Sequence, residues 1–206
     1  MIPRAVLFDL GGVVLEIDSG RTLAAWGRSS RLAPEALRGA FQIDEPYRRH
    51  EVGALADAGF FAHLRERLQL DADDATVLDG WNAMLVGEIA PVLSMIEHLR
   101  AAGIGCHALS NTNAAHLARI EEAFPRFLAR FDQVFLSHRI GHRKPGPEAF
   151  AHVLQALGLA AGEVLFLDDL EANVQGARVA GLRAEWVRSP AEVRAALARH
   201  GLPVPG

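Results

Sequence analysis

Hydrophobic positions along this chain follow two different periods. In its last two thirds, short β-favouring apolar runs alternate with stretches whose apolar residues recur every three or four positions. Pro91 to Ala102 sets Val92, Leu93, Met95, Ile96 and Leu99 on one helical face, with Pro in the first turn and Gly103 as a stop. Strands are expected over 105–109, 133–136, 164–167 and 184–187, and helices over 114–124, 147–157, 172–180 and 190–200. The alternation predicts an α/β fold, a parallel sheet with helices on both faces. Near the N-terminus, Val6-Leu7-Phe8-Asp9-Leu10-Gly11-Gly12-Val13-Val14 reads as a further buried strand that ends on a carboxylate and two glycines. Ligands of open α/β sheets bind at the carboxyl ends of such strands.

Between Glu16 and Glu88 the pattern changes. Leu23, Trp26 and Leu32, then Leu37 and Phe41, Phe60, Phe61, Leu64 and Leu68, and Val77, Leu78, Trp81 and Leu85 all fall at helical spacing, with no convincing strand among them. The expected organisation is an α/β core of residues 1–15 and 89–206, with 16–88 as a small helical cap inserted after the first strand. An insertion at that point would sit over Asp9, where it could exclude water and touch substrate.

Composition narrows the function without naming it. The chain has 206 residues, half of them hydrophobic and 22% charged, which is a globular balance. Its formal net charge of -4 offers no basic footprint for nucleic acid. Cys106 is a lone cysteine in an apolar run, which precludes an internal disulfide and fits buried filler. No apolar stretch approaches the roughly 18 residues of a membrane span, and Met1-Ile2-Pro3-Arg4 leaves no room for a signal peptide before the first strand. A cytoplasmic protein is the expectation.

Three later strand ends or loops change the reading of Asp9: Ser110-Asn111, Arg143-Lys144-Pro145, and Asp168-Asp169 with Asn173 beyond them. Each has an ordinary structural explanation, as helix cap, solvated loop cation and turn. Together they supply the parts of phosphoryl transfer: a nucleophile, a hydroxyl and amide for phosphate oxygens, a cation, and a second acidic site for Mg²⁺. Nine histidines show no metal-ligand spacing, and those in helix patterns, His116 among them, are expected at the surface or its boundary.

In this order and at strand ends, Asp9, Ser110, Lys144 and Asp168-Asp169 resemble the haloacid dehalogenase superfamily over nearly the whole chain. Leu109-Ser110-Asn111-Thr112-Asn113, Arg143-Lys144-Pro145 and Phe166-Leu167-Asp168-Asp169 are similar to a subgroup that includes bacterial α-D-glucose-1-phosphate phosphatases and the N-terminal phosphatase domain of soluble epoxide hydrolase. The resemblance implies a Rossmann-like core with a helical cap, and a hydrolase acting on a small phosphorylated metabolite. It implies that Asp9 attacks phosphorus to form an aspartyl-phosphate, that Ser110 and Asn111 bind the phosphoryl group, and that Lys144 bridges it to Asp9. Mg²⁺ would be held by Asp9, the carbonyl of Gly11 and Asp169, with Asp168 in or beside the shell. Asp18 and Glu51 are expected against the substrate.

One position departs from the pattern. Most phosphatases of the superfamily carry a second Asp two residues after the nucleophile as general acid and base; here stands Gly11. Losing such a group costs about 10²- to 10⁴-fold, or roughly 3 to 5 kcal/mol of barrier. A leaving oxygen of low basicity, such as the anomeric oxygen of a sugar 1-phosphate, would reduce the need for it. Alternatively Asp18, His50 or Glu51 would substitute from the cap, or the protein would bind a phosphometabolite without turnover. A 2-haloacid dehalogenase is the other enzymatic reading, against which stands the charge that the doubled aspartate would add beside a carboxylate substrate.

Overall fold

Four consecutive apolar residues, Ala5–Phe8, form the central strand β1, buried on both faces. In the computed structural model, which describes residues 2–205, the chain then enters a short strand β2 (Leu15–Ile17) and five helices: α1 (Ser19–Trp26), α2 (Pro34–Ala40), α3 (Glu45–Glu51), α4 (Asp57–Leu68) and α5 (Asp74–Asn82). It returns through β3 (Leu85–Glu88) to α6 (Ala90–Ala101), β4 (Gly105–Ser110), α7 (Ala114–Ala123), β5 (Gln133–Leu136), α8 (Ser137–Ile140) and α9 (Pro147–Leu157). The chain ends with β6 (Val164–Asp168), α10 (Glu171–Val179), β7 (Arg183–Trp186) and α11 (Pro190–Arg199). Five strands make one parallel sheet in the order β5-β4-β1-β6-β7, the α/β arrangement expected from the alternating pattern.

Side-chain alternation along the strands divides the core between the two faces of this sheet. Val6, Phe8, Cys106, Ala108, Leu165 and Leu167 pack with the apolar stripes of α6, α7 and α11. Leu7, Leu109 and Phe166 point to the opposite face, against Phe150 and Val153 of α9 and Val174 and Ala177 of α10. Because β1 lies between β4 and β6, with Phe8 opposite Ala108 and Leu167, the residues that follow these three strands emerge side by side.

The stretch from 16 to 88 is not free of strands. Leu15–Ile17 and Leu85–Glu88 pair antiparallel, Leu15 opposite Glu88 and Ile17 opposite Leu85. Each strand is only three or four residues long, too short for alternation to stand out in the sequence. Helix α3 carried no apolar stripe to announce it; Asp44 caps it by accepting from Tyr47 N–H, with Pro46 in the first turn. The helices enclose a cluster of their own, including Leu37, Phe60, Leu64, Leu68, Val77 and the parallel-stacked Trp26 and Trp81, whose ring centres lie 6.0 Å apart. Both tryptophans are core residues, as their spacing suggested.

Helix α7 joins this cluster through Ala115 and His116. The expectation of a surface His116 is overturned: it is buried and stacks on Trp81 at 4.5 Å. Its Nε2 lies 3.2 Å from the Trp81 carbonyl, which only accepts, so Nε2 carries the proton. Nδ1 then accepts from the Asn113 amide at 3.2 Å. Both bonds suit the neutral ring, and burial pushes its pKa down to about 4.

Two stability predictions follow from the helical cluster. A Cβ at Gly80 would lie 2.3 Å from Trp26 Nε1, the atom that donates to Val77 O at 3.1 Å. Gly80→Ala should therefore destabilise by about 1 to 3 kcal/mol, outweighing the roughly 1 kcal/mol gain in helix propensity, and lower the urea midpoint. Below pH 6.5 the unfolded chain takes up a proton that native His116 refuses, so stability falls as pH drops from 6.5 towards 4, by at most about 3 kcal/mol from this group. Denaturation of His116→Gln across that window should show a shallower pH slope than the parent.

Candidate active site

The parallel order of β4, β1 and β6 delivers Ser110, Asp9 and Asp168 to one end of the sheet, and a loop before α9 adds Lys144. The Lys144 ammonium lies 2.8 Å from Asp9 Oδ1 and 2.6 Å from Asp168 Oδ2, with all three side chains buried. Asp9 Oδ1 also accepts from Leu10 N–H at 2.7 Å, so both contacts fall on one carboxylate oxygen. Burial pushes the Asp9 carboxyl up to about 7 against the pull of Lys144, with Asp168 and Asp169 adding to the rise. Burial on its own would lower the Lys144 ammonium, but Asp9 and Asp168 outweigh it and hold the pKa above the ordinary lysine value.

Lys144 is positioned through its backbone. Asn111 Nδ2 donates to Lys144 O at 2.9 Å, and Lys144 N–H donates to Asn111 Oδ1 at 2.8 Å. Asn111 thus acts on the lysine loop, and both its polar side-chain atoms are engaged there. The next residue, Pro145, packs against Gly176 of α10, where a Cβ would come within 2.5 Å of the Pro145 carbonyl. Ser110, at the last position of β4, lines the same cavity as Asp9.

The adjacent aspartates differ. Asp168 is fully buried; Oδ1 accepts from Leu170 N–H and Asn173, and Oδ2 from Asn173 and Lys144. Asp169 is half-buried, and its backbone carbonyl accepts from Trp186 Nε1 at 2.7 Å. Burial, reinforced by Asp168, raises its carboxyl pKa. One oxygen each from Asp9, Asp168 and Asp169 lie within 4.8 Å of one another. Three hard oxygen donors suit Mg²⁺, Ca²⁺ or Mn²⁺. Gly12 (φ +77°) makes room for the group: a Cβ there would lie 2.2 Å from Asp169 Oδ2. Since Asp168 already has four hydrogen bonds, Asp9 and Asp169 are the carboxylates with oxygens to offer a cation.

A cavity of about 340 Å³ opens over Asp9, with Gly11, Ser110, Asn111, Lys144 and Asp169 on its floor. Its opposite wall comes from the helical segment and includes Ile43, Tyr47 and Glu51. Glu51 accepts from Arg143 Nε at 2.7 Å, linking α3 to the residue before Lys144. Burial raises the Glu51 carboxyl pKa, with Arg143 opposing. Glu51 is buried because α3 packs against α8 and its last turn turns inward.

Two sequence candidates are placed elsewhere. Asp18 is exposed and caps α1, accepting from Gly20 N–H at 2.8 Å, and is not among the cavity residues. His50 is buried beside Phe60, with Nε2 2.7 Å from Asp57 Oδ1, and likewise does not line the cavity. Neither is placed to take over the proton transfer missing at Gly11. Gly12 was passed over as a site residue, although the sequence sets it beside Gly11. The apolar wall was also missed, since its members come from separate elements.

A family model described as haloacid dehalogenase-like hydrolase matches residues 3–181. The chain is 29% identical over 195 residues to acyl-CoA dehydrogenase family member 10 of Mus musculus, covering 91% of this chain but only 18% of that protein. It is 29% identical over 194 residues to hexitol phosphatase A of Escherichia coli, covering 92% of this chain and 85% of that one. A solved HAD family enzyme of Bacteroides thetaiotaomicron, in complex with magnesium and inorganic phosphate, superposes with a TM-score of 0.76 at 26% identity, over 89% of this chain and 93% of that one. With the matched segment running from before β1 through α10, and so containing every residue of the Asp9–Lys144–Asp168 cluster, the chain belongs to the haloacid dehalogenase-like hydrolase family.

Proposed function

We propose that the protein is a Mg²⁺-dependent phosphohydrolase that cleaves a small phosphorylated metabolite through an aspartyl-phosphate at Asp9. The observation that carries this reading is Asp9 in a cavity, with the Lys144 ammonium 2.8 Å from one carboxylate oxygen and Asp169 close enough to share a cation. The phosphatase named among its relatives and the magnesium and phosphate bound in the similar structure support it. The helical segment 16–88 would serve as the cap and the rest as the catalytic core, in the cytoplasm.

Each side chain has a role that its position allows. Asp9, whose carboxylate is oriented by Lys144 and Leu10 N–H at Oδ1, attacks phosphorus. Lys144 offsets the charge of a carboxylate meeting a phosphate dianion, and Asp168, through Asn173 and Leu170 N–H, fixes where that ammonium sits. Ser110 offers a hydroxyl to a phosphoryl oxygen, while Asn111 holds the lysine loop. Asp9, Asp169 and the carbonyl of Gly11 would hold Mg²⁺, with Asp168 beside them. When bound, Mg²⁺ supplies charge stabilisation at the phosphoryl oxygens. Gly11 moves no proton and Glu51, the candidate substitute that lines the cavity, is held in its ion pair with Arg143, so the leaving oxygen departs with little help; the anomeric oxygen of a sugar 1-phosphate meets that condition. Dehalogenation is disfavoured because Asp169 adds negative charge where a carboxylate substrate would bind.

Phosphate release from a panel of phosphate esters and acetyl phosphate, with and without Mg²⁺, tests this reading. Turnover should require the metal and fall at least about 10³-fold in Asp9→Asn. Absence of metal-dependent release from every member of the panel would overturn it. Gly12→Ala should push Asp169 aside and raise the Mg²⁺ concentration for half-maximal activity at least about tenfold, with a stability loss of about 1 kcal/mol from the left-handed backbone, read from a metal titration and a urea curve.

A further inference from the structure

We propose that the ester cleaved at this site joins phosphate to an apolar hydroxyl of low basicity, a phenol above all, rather than to a sugar or polyol. The proposal rests on the phosphohydrolase reading of Asp9 and narrows its substrate. It comes from three features of the cavity: its exposed apolar rim, the engagement of its polar wall groups, and the glycine at position 11.

Six large hydrophobic side chains are exposed among the described residues, and three of them, Ile17 (36%), Ile43 (52%) and Leu170 (55%), line this one cavity. They come from β2, from the turn before α3 and from the turn before α10, so no single amphipathic element explains their gathering. Tyr47, Met84 and Leu85 continue the apolar surface inward. Exposed apolar side chains converging on a concave site mark the place where an apolar ligand completes their burial.

A sugar or polyol would need donors and acceptors for each of its hydroxyls, and the wall keeps most of its own occupied. Glu51 is paired with Arg143, Asn111 with the Lys144 backbone, and Asn113 with His116 and Trp81. His116 has both ring nitrogens engaged. What remains beyond Ser110 is the hydroxyls of Ser19, Tyr47 and Thr112, together with the second oxygen of Glu51 and the outer guanidinium nitrogens of Arg143. The hydroxyls of a polyol that face Ile17, Ile43 and Leu170 would find no partner there, at a cost an aromatic ring does not meet.

The chemistry at Gly11 selects the same class. As Asp9 forms its O–P bond, the bond from phosphorus to the leaving oxygen breaks and the electron pair departs with that oxygen. A phenol ionises near pH 10, so phenolate can leave and take its proton from solvent afterwards. An aliphatic alkoxide, whose parent alcohol ionises in the range of water at about 15.7, needs the proton donor that is missing. Water then adds to phosphorus, the P–O bond to Asp9 breaks with its electron pair returning to the carboxylate, and the proton released by the water leaves on the departing phosphate.

The test uses the full-length protein with Mg²⁺ and phosphate release from phenyl phosphate, cyclohexyl phosphate, glucose 1-phosphate and acetyl phosphate. Phenyl phosphate should exceed glucose 1-phosphate at least tenfold in kcat/KM, and cyclohexyl phosphate at least a hundredfold. Ile43→Asn, at an exposed position outside the core, should lower the ratio of phenyl to acetyl phosphate turnover about tenfold, mainly through KM. Glucose 1-phosphate equal to or better than phenyl phosphate, or an unchanged ratio in Ile43→Asn, overturns the proposal while acetyl phosphate hydrolysis keeps the underlying phosphohydrolase reading. Failure to hydrolyse acetyl phosphate as well overturns both.

Discussion

One buried ammonium holds the site together. Lys144 stands between Asp9 and Asp168, and without it two carboxylates would lie at neighbouring strand ends in a medium that solvates neither. Breaking such a pair typically costs about 3 to 5 kcal/mol, because the partner is left charged and buried. The surroundings reflect that constraint. Asn111 fixes the lysine backbone from β4, Asn173 and Leu170 N–H satisfy Asp168 from the start of α10, and Gly176 lets Pro145 approach. A single charge thereby ties β1, β4, β6 and the loop before α9 to one geometry. It also separates two adjacent aspartates that look alike in sequence: Asp168 is taken up with the lysine, and Asp169 is not.

How far the sequence disclosed this depended on the range of the interactions. The sheet was legible because its strands are continuous apolar runs, bounded by glycines and capping residues, and periodicity is a local property. Helices α6, α7, α9 and α11 begin and end within a residue or so of where pattern and caps place them. Strands β2 and β3 were not legible, since three or four residues carry too little alternation, and α3 was hidden by its polar composition. In the site, Asp9, Ser110 and Asp169 could be named from strand ends and Lys144 from the Arg143-Lys144-Pro145 loop. Asp18 and His50 do not line the cavity because each is engaged close by in its own segment, Asp18 with Gly20 N–H and His50 with Asp57, which spacing alone does not reveal. The surface or boundary position expected of His116 failed for a related reason, as its partner Trp81 lies 35 residues away.

The two sides of the cavity therefore rest on different kinds of information. Its floor is set by backbone positions at the ends of paired strands, which leave little freedom. Its opposite wall is assembled from a turn, a helix face and the edge of a two-stranded ribbon, contributed by Ile43, Tyr47, Ile17 and Leu85. The aromatic packing beneath joins the turn and the helix face, with Trp81 in contact with Trp26, Phe41, Tyr47, Phe60 and His116.

The ribbon of β2 and β3 has a consequence for how such a molecule changes over generations. Where the chain leaves the sheet region and where it comes back are hydrogen-bonded neighbours, Leu15 beside Glu88 and Ile17 beside Leu85, separated by the roughly 5 Å of adjacent strands. A polypeptide whose ends meet at that spacing, and whose inner face suits Ala115, His116 and Arg143, would fit between them without altering a residue of the ammonium and carboxylate cluster. The segment that supplies the apolar wall is thus exchangeable as a unit, and selection can act on it while the ammonium and carboxylate cluster stays as it is.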